Sequence, residues 1–171
     1  AGLPPVHTDI RIVDGSNSPV AALERGEICI KGPNIMKGYL NRPDATASAI
    51  DELGWFHSGD VGYLDEEGYL YICDRLKDMV ISGGENVYPA EVESVLFEHP
   101  AVAEVAVIGL PDDKWGEAVT AVAALVPGAD LSLAELRSFA ETKLARYKLP
   151  LRLHVVDALP PNPAGTVLKI Q

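Results

Sequence analysis

Hydrophobic spacing divides the chain into two regions. From Thr8 to Cys73 apolar and polar residues alternate in short runs: TDIRIVD at Thr8 to Asp14, GEICIK at Gly26 to Lys31, and two runs between Val61 and Cys73 on either side of the turn sequence Asp65-Glu66-Glu67-Gly68. A period of two puts successive side chains on opposite faces, which predicts short antiparallel strands with one dry and one wet side. Pro43 suits a first helical position and predicts a short helix carrying Ala45 to Ile50. From Val80 onward strands and helices alternate. Pro89 to Glu98 (PAEVESVLFE) sets Val92, Val95 and Leu96 at helical spacing, Val102 to Ile108 and Val119 to Val126 read as strands, and Ser132 can cap a helix running through Leu144. Leu151 to Val156 adds a strand. The predicted fold class is α+β: a small antiparallel β subdomain over residues 1–76, then an α+β domain over residues 77–171 with a short sheet flanked by helices.

With 171 residues, 47% apolar and 23% charged, the chain has the composition of a globular protein. A formal net charge of −11 argues against nucleic acid or an anionic membrane surface as a general partner, because both need clustered cations. Cys29 and Cys73 sit in apolar strand-like runs without metal-ligand spacing and read as small buried residues of a reducing compartment, with a disulfide between them left open. No segment approaches the roughly 20 apolar residues that span a bilayer, so the expectation is a cytoplasmic protein without a transmembrane segment. The first residues, AGLPPVHTD, lack an initiator Met, so the chain is expected to begin partway through something larger.

The run Asp74 to Glu93, DRLKDMVISGGENVYPAEVE, holds the densest candidate chemistry. Gly83 and Gly84 follow a short apolar stretch; a glycine pair serves either as an ordinary tight turn or as a place where backbone closely approaches a ligand. Glu85 and Asn86 are expected to end a strand and orient the next turn. Around this run, in order, lie EICIKGPNIMKGYLNRP (Glu27 to Pro43), GWFHSGDVG (Gly54 to Gly62), AVIGLPDDKWG (Ala106 to Gly116), ARYKLP (Ala145 to Pro150) and LPPNPAGTVLK (Leu159 to Lys169). Together these motifs resemble the C-terminal third of the AMP-forming acyl-CoA synthetases. That family belongs to the adenylate-forming superfamily, which also holds firefly luciferase and peptide-synthetase adenylation domains. SGGENVYPAEVE is similar to the acyl-CoA synthetase version, and the overall pattern is similar to fatty acyl-CoA ligases.

The resemblance implies a β-rich end of a large N-terminal domain, a hinge at Lys77, and a mobile lid domain that rotates between an adenylating and a thioester-forming pose. It implies that Asp60 accepts hydrogen bonds from both ribose hydroxyls of the nucleotide, with Arg75 also reaching the ribose; on the residues alone, Asp60 is equally a turn aspartate and Arg75 equally a surface ion-pair partner. It implies that Gly83 and Gly84 let the pantetheine arm of CoA pass along backbone. Trp115 is placed near the CoA entry, and Tyr147 and Lys148 where the CoA adenine stacks and its phosphate is neutralised, with Arg146 and Arg152 assisting. Packing, for Trp115, and a helix-end basic cluster, for Tyr147 and Lys148, are the plainer readings.

The implied cofactors are ATP/AMP and CoA, with Mg²⁺ in the complete enzyme and its ligands outside this chain. The implied partners are the N-terminal domain of the same enzyme and a small-molecule acid. The upstream phosphate loop and aromatic-Gly-x-Thr-Glu motif are absent from the sequence. One departure from the family pattern is marked: the usual C-terminal Gly-Lys pair, whose lysine enters the active site, is Gly165-Thr166 here. Lys169 resembles the motif's second lysine. Thr166 cannot deliver a cation, so adenylation is expected to be impaired, and the chain alone is expected not to turn over. A peptide-synthetase adenylation fragment and a non-catalytic nucleotide- or CoA-binding module are the alternatives.

Overall fold

The computed structural model describes residues 1–160. The chain forms two units, Ala1–Lys77 and the portion from Asp78 onward. The division falls within a single 3₁₀ turn, Leu76–Asp78.

The first unit is a meander. Strands β1 (Asp9–Val13), β2 (Gly26–Lys31), β3 (Phe56–Leu64) and β4 (Leu70–Arg75) pair antiparallel in chain order. Pairing of Ile10 with Ile30 and of Ile12 with Ile28 lines up the dry face, where Ile12, Ile28 and Leu70 are buried and Ile10, Val20, Ile30 and Leu64 pack against them. The opposite face carries the intervening residues, among them Arg11 opposite Cys29 and Cys29 opposite His57, and it is covered too, with Val13, Cys29 and Val61 buried. Helix α1 (Pro43–Ala49) lies between β2 and β3, starts on Pro43 and buries none of its residues.

The sequence expectation began β3 at Val61, but the strand starts at Phe56 and runs through His57-Ser58-Gly59-Asp60. The reason is a bulge. Cys29 faces His57 and Glu27 faces Val61, so Ser58, Gly59 and Asp60 together stand opposite Ile28 alone. Gly59 takes φ +71°, a left-handed conformation that side-chain-bearing residues reach only with strain. A polar, glycine-containing bulge reads locally as a turn.

In the second unit, β7 (Val102–Asp112) and β8 (Gly116–Leu125) form a long antiparallel hairpin. Strand β9 (Arg152–Val156) pairs parallel to β8. A small hairpin of β5 (Val80–Ser82) and β6 (Glu85–Val87) joins β8 through Ser82 opposite Gly116. Glu85 and Asn86 therefore pair within a strand, where the sequence reading had them end one; three-residue strands carry too little alternation to be seen. Helix α2 (Pro89–Phe97) buries Val92 and Leu96, and α3 (Leu133–Ala140) buries Leu136 and Ala140, against Val107, Val119 and Ala121 of the sheet. A fully buried Leu such as Leu96 or Leu136 contributes about 1.5–3 kcal/mol by transfer out of water.

Ser132 caps α3 as expected: its hydroxyl accepts from the Glu135 amide and the Glu135 carboxylate accepts from the Ser132 amide. The helix ends at Ala140, short of the expected Leu144. The Thr142 hydroxyl bonds back to the Phe139 carbonyl at 3.3 Å, the local competition that loosens a helical turn. Neither cysteine forms a disulfide; Cys29 is buried and Cys73 partly so. No helix among the described residues is long and apolar enough to cross a membrane.

Candidate functional site

Each unit brings together a set of the sequence-predicted residues. In the first, the bulge ends on Asp60, which pairs across the sheet with Arg75 of β4. Arg75 Nε donates to Asp60 Oδ1 at 2.9 Å, with the Arg75 side chain 62% exposed and that of Asp60 29%. An exposed pair of this kind contributes at most about 1 kcal/mol to stability. What it does is orient a carboxylate: one oxygen is held by the guanidinium, and the partly exposed group keeps capacity to accept further hydrogen bonds. Lys77 occupies the centre of the Leu76–Asp78 turn and is exposed.

Behind Asp60 lies a polar network that sequence reading missed. Glu27 Oε1 accepts from the Gly59 amide at 3.1 Å and Glu27 Oε2 accepts from His57 Nδ1 at 2.8 Å. The other ring nitrogen, Nε2, is 3.8 Å from Asp51 Oδ2, which in turn takes the Arg11 guanidinium at 3.1 Å. Arg11 lies 4.3 Å over the Trp55 ring. Burial acts to raise the Asp51 carboxyl, but the Trp55 and Leu53 amides and Arg11 outweigh it and leave the group below its ordinary value. Burial, with Glu27 nearby, pushes the Cys29 thiol up to about 11. Period-two alternation in GEICIK already places Glu27 and Cys29 on one face, and this was the available signal.

Glu27, Cys29 and His57 each offer a ligand atom within 4.8 Å of the others. A thiol and an imidazole beside one carboxylate are not the all-oxygen set that Mg²⁺ takes. Both Glu27 oxygens also already hold hydrogen bonds, so the cluster fits a structural network better than an Mg²⁺ site.

In the second unit a cavity of about 470 Å³ is lined by Ser82, Trp115, Arg137, Arg146, Tyr147 and Leu151. Two predicted residues, Trp115 and Tyr147, share it, as does the expected helper Arg146. Trp115 sits at the tip of the β7–β8 hairpin, 40% exposed. Asp112 builds that tip by accepting from the Lys114 amide at 3.0 Å and the Trp115 amide at 3.1 Å. Those bonds, with Arg152 at 2.7 Å beside it, hold the Asp112 carboxyl below the usual carboxylate range. Arg152, expected to assist at the coenzyme, is thus engaged at the base of the loop.

Gly83 and Gly84 form the two-residue turn between β5 and β6, with φ +62° and +85°, the conformation of a tight I′ turn. The Gly83 amide donates to the Trp115 carbonyl at 2.8 Å, and the Ile81 amide to Glu117 at 2.6 Å, fixing the turn against the hairpin tip. A Cβ on Gly83 would lie 2.8 Å from the Trp115 ring, whereas one on Gly84 would meet nothing within 4 Å.

The 3₁₀ turn Arg146–Lys148 presents neighbouring side chains differently. Arg146 and Tyr147 are exposed, while Lys148 is only 13% exposed and donates to Glu91 of α2 at 2.6 Å. Arg137 of α3, unremarked in the sequence, lines the cavity and donates to the Pro150 carbonyl. Gly165, Thr166 and Lys169 lie outside the described residues.

Comparison with known proteins bears on both sets. Residues 91–166 match the model of the AMP-binding enzyme C-terminal domain, and residues 1–40 match that of the AMP-binding enzyme, together more than half of the chain. A feruloyl-CoA synthase of an Amycolatopsis species is 49% identical over 169 residues, covering 99% of this chain and 34% of that protein. A long-chain-fatty-acid–CoA ligase of Mycobacterium tuberculosis is 50% identical over 169 residues, covering 99% of this chain and 33% of the ligase. The structure of the o-succinylbenzoate CoA synthetase of Bacillus subtilis with its acyl-adenylate matches with a TM-score of 0.87 at 45% identity, covering 97% of this chain and 34% of that one. The same synthetase has also been solved with ATP and magnesium ion. This chain therefore spans about a third of the length of the relatives it matches. It belongs to the AMP-binding family of adenylate-forming CoA ligases.

Proposed function

We propose that the chain is the nucleotide- and CoA-handling portion of an enzyme that joins a carboxylic acid to CoA in two steps. In the first, an oxygen of the acid's carboxylate attacks the α-phosphorus of ATP and pyrophosphate leaves, giving an acyl-adenylate. In the second, the CoA thiol attacks the acyl carbonyl, loses its proton and expels AMP. Asp60, oriented by Arg75, accepts from the ribose hydroxyls in the first step. Lys77 is the hinge about which the two units exchange poses, residues 1–76 belonging to the larger domain and residues 77–171 forming the lid.

The observation that carries this reading is the 470 Å³ cavity that unites Trp115, Tyr147, Arg146 and Arg137. Two aromatic side chains and two guanidinium groups in one cleft suit a flat base bearing phosphates, and base–aromatic stacking contributes about 1–3 kcal/mol per base. The CoA nucleotide fits this cleft. Lys148, held by Glu91, supports the turn, and Arg146 takes the phosphate-facing role first expected of Lys148. Magnesium, when bound with ATP, neutralises phosphate charge; the described residues contribute no oxygen cluster suited to it. The relatives act on aromatic as well as fatty acids by their names, so the substrate class is a carboxylic acid, fatty or aryl.

Thr166 stands where this reading needs a lysine to stabilise charge on the α-phosphate. Losing one such electrostatic donor costs about 2.7–4 kcal/mol in rate. Pyrophosphate release by the full-length enzyme, assayed with fatty and aryl acids, is expected to rise roughly 100- to 1,000-fold in Thr166→Lys. Absence of pyrophosphate release from either form would replace the ligase reading with that of a non-catalytic nucleotide- or CoA-binding module. Acyl transfer to a phosphopantetheinylated carrier protein and not to CoA would favour a peptide-synthetase type.

A further inference from the structure

The bulge in β3 raises a specific problem. Ser58, Gly59 and Asp60 face Ile28 alone, so their amides cannot all find ladder partners on β2. Unpaired backbone amides are costly in partly buried positions, and a bulge without replacement bonds would flatten or wander. Two side chains supply the replacements. Ser58 Oγ accepts from the Asp60 amide at 3.1 Å, and Glu27 Oε1 accepts from the Gly59 amide at 3.1 Å. Glu27 is itself held, because its second oxygen takes His57 Nδ1 at 2.8 Å and His57 stands at the other end of the bulge. Since a carboxylate only accepts, Nδ1 carries the proton, and the ring directs Nε2 toward Asp51, 3.8 Å away. The Glu27 carboxylate thus ties His57 to Gly59 and fixes the loop whose next residue is Asp60. Glu27 and His57 are both largely buried, with side chains 17% and 22% exposed.

We propose that Glu27, together with His57, is a positioning clamp for Asp60: it never touches the nucleotide, but sets the carboxylate of Asp60 at the angle that lets it accept from the ribose. This rests on the ribose role of Asp60 proposed above. The clamp separates two jobs along one short strand. Arg75 holds one Asp60 oxygen from the β4 side, while Glu27 fixes the backbone from the β2 side. Loss of either leaves Asp60 present but misaimed.

The test compares dissociation constants of the full-length enzyme for ATP, 2′-deoxy-ATP and 3′-deoxy-ATP. A general loss of structure weakens all three equally, whereas misaiming Asp60 removes the preference for the intact ribose. Asp60→Asn sets the scale and is expected to reduce that preference about tenfold, the worth of a hydrogen bond to a charged group. Glu27→Gln is expected to reduce it several-fold. His57→Asn, whose amide nitrogen overlays Nδ1, should keep the preference, and His57→Leu should lose it; this pair decides the matter if Glu27→Gln does not fold. An unchanged preference in Glu27→Gln, or in His57→Leu, with Asp60→Asn reduced, overturns the clamp and leaves the ribose reading standing. An unchanged preference in Asp60→Asn sinks the ribose reading and the clamp with it.

Discussion

Gly83 and Gly84 look equivalent in the sequence, yet the structure predicts that alanine at the two positions will behave differently. Both residues have positive φ, so either substitution carries left-handed backbone strain of about 1–2 kcal/mol. At Gly84 that is the whole effect, since a Cβ there meets nothing within 4 Å. At Gly83 the added Cβ falls 2.8 Å from Trp115 Cε3, closer than real contacts allow. Backbone cannot absorb the shift, because the Gly83 amide is bonded to the Trp115 carbonyl at 2.8 Å. The indole ring must rotate, and it lines the proposed CoA cleft.

Gly83→Ala should therefore lose Trp115 stacking as well, a further 1–3 kcal/mol in ligand affinity, or roughly 5- to 150-fold. The chain has two tryptophans, so the indole N–H signals of Trp55 and Trp115 can be assigned by nuclear magnetic resonance with one Trp55→Phe variant. Urea unfolding should show destabilisation in both variants, larger for Gly83→Ala, which adds the clash with Trp115 to the backbone strain. The Trp115 signal should move in the first and stay in the second, and CoA titrations should follow the same order. If Gly84→Ala displaces Trp115 as much as Gly83→Ala does, or if Gly83→Ala leaves CoA affinity unchanged, the contact between Gly83 and the Trp115 ring does not govern the cleft.

Asp112 should give the Trp115 loop an acid limit. Its carboxyl is held below the ordinary 3.8, so its contribution is complete above that value and lost as pH falls through the lower folded value. The Trp115 signal is expected to hold from pH 7 to about pH 4 and to shift below it, while Asp112→Ala should show the shifted position throughout. Arg146 and Lys148 should separate binding from stability. Lys148→Ala, breaking a half-buried pair with Glu91, is expected to lower urea stability by about 1–3 kcal/mol, between the values for exposed and buried pairs. Arg146→Ala should change stability by less than about 0.5 kcal/mol and weaken CoA binding several-fold, an effect that shrinks with added salt in isothermal titration.

The elements legible in the sequence were those with a long period or a strong punctuation mark. GEICIK coincides with β2, Pro43 and Pro89 open α1 and α2, and Ser132 caps α3. The elements that were not legible are those set by tertiary contact. The bulge His57 to Asp60 is a strand only because Glu27 and Ser58 supply bonds that β2 cannot, and Glu27 lies 30 residues from His57 in the chain. The β5–β6 hairpin is held by Trp115 at the β7–β8 tip and Glu117 at the start of β8, both some 30 residues further along the chain. Site chemistry followed the same rule. Trp115 and Tyr147 stood out as aromatic residues in charged loops, whereas Arg137 reads as one more polar position on a helix until the fold brings it to the cavity. Lys148 was given the phosphate-facing role and Arg146 only an assisting one, because only three-dimensional placement shows that Lys148 is the one held by α2.

The parallel pairing of β9 with β8 has a consequence for how the second unit assembles. β7 and β8 are joined by a tight tip and can close early, since their contacts are local. β9 reaches β8 only by closing the stretch between Val126 and Leu151, which carries α3, so the larger loop-closure entropy favours its pairing late. Trp115 rides on the early hairpin and Tyr147 on the turn that precedes the late strand. The cleft therefore draws one wall from the early hairpin and the other from the late strand's approach, so a half-folded second unit would present an indole without the side chains that complete the cleft.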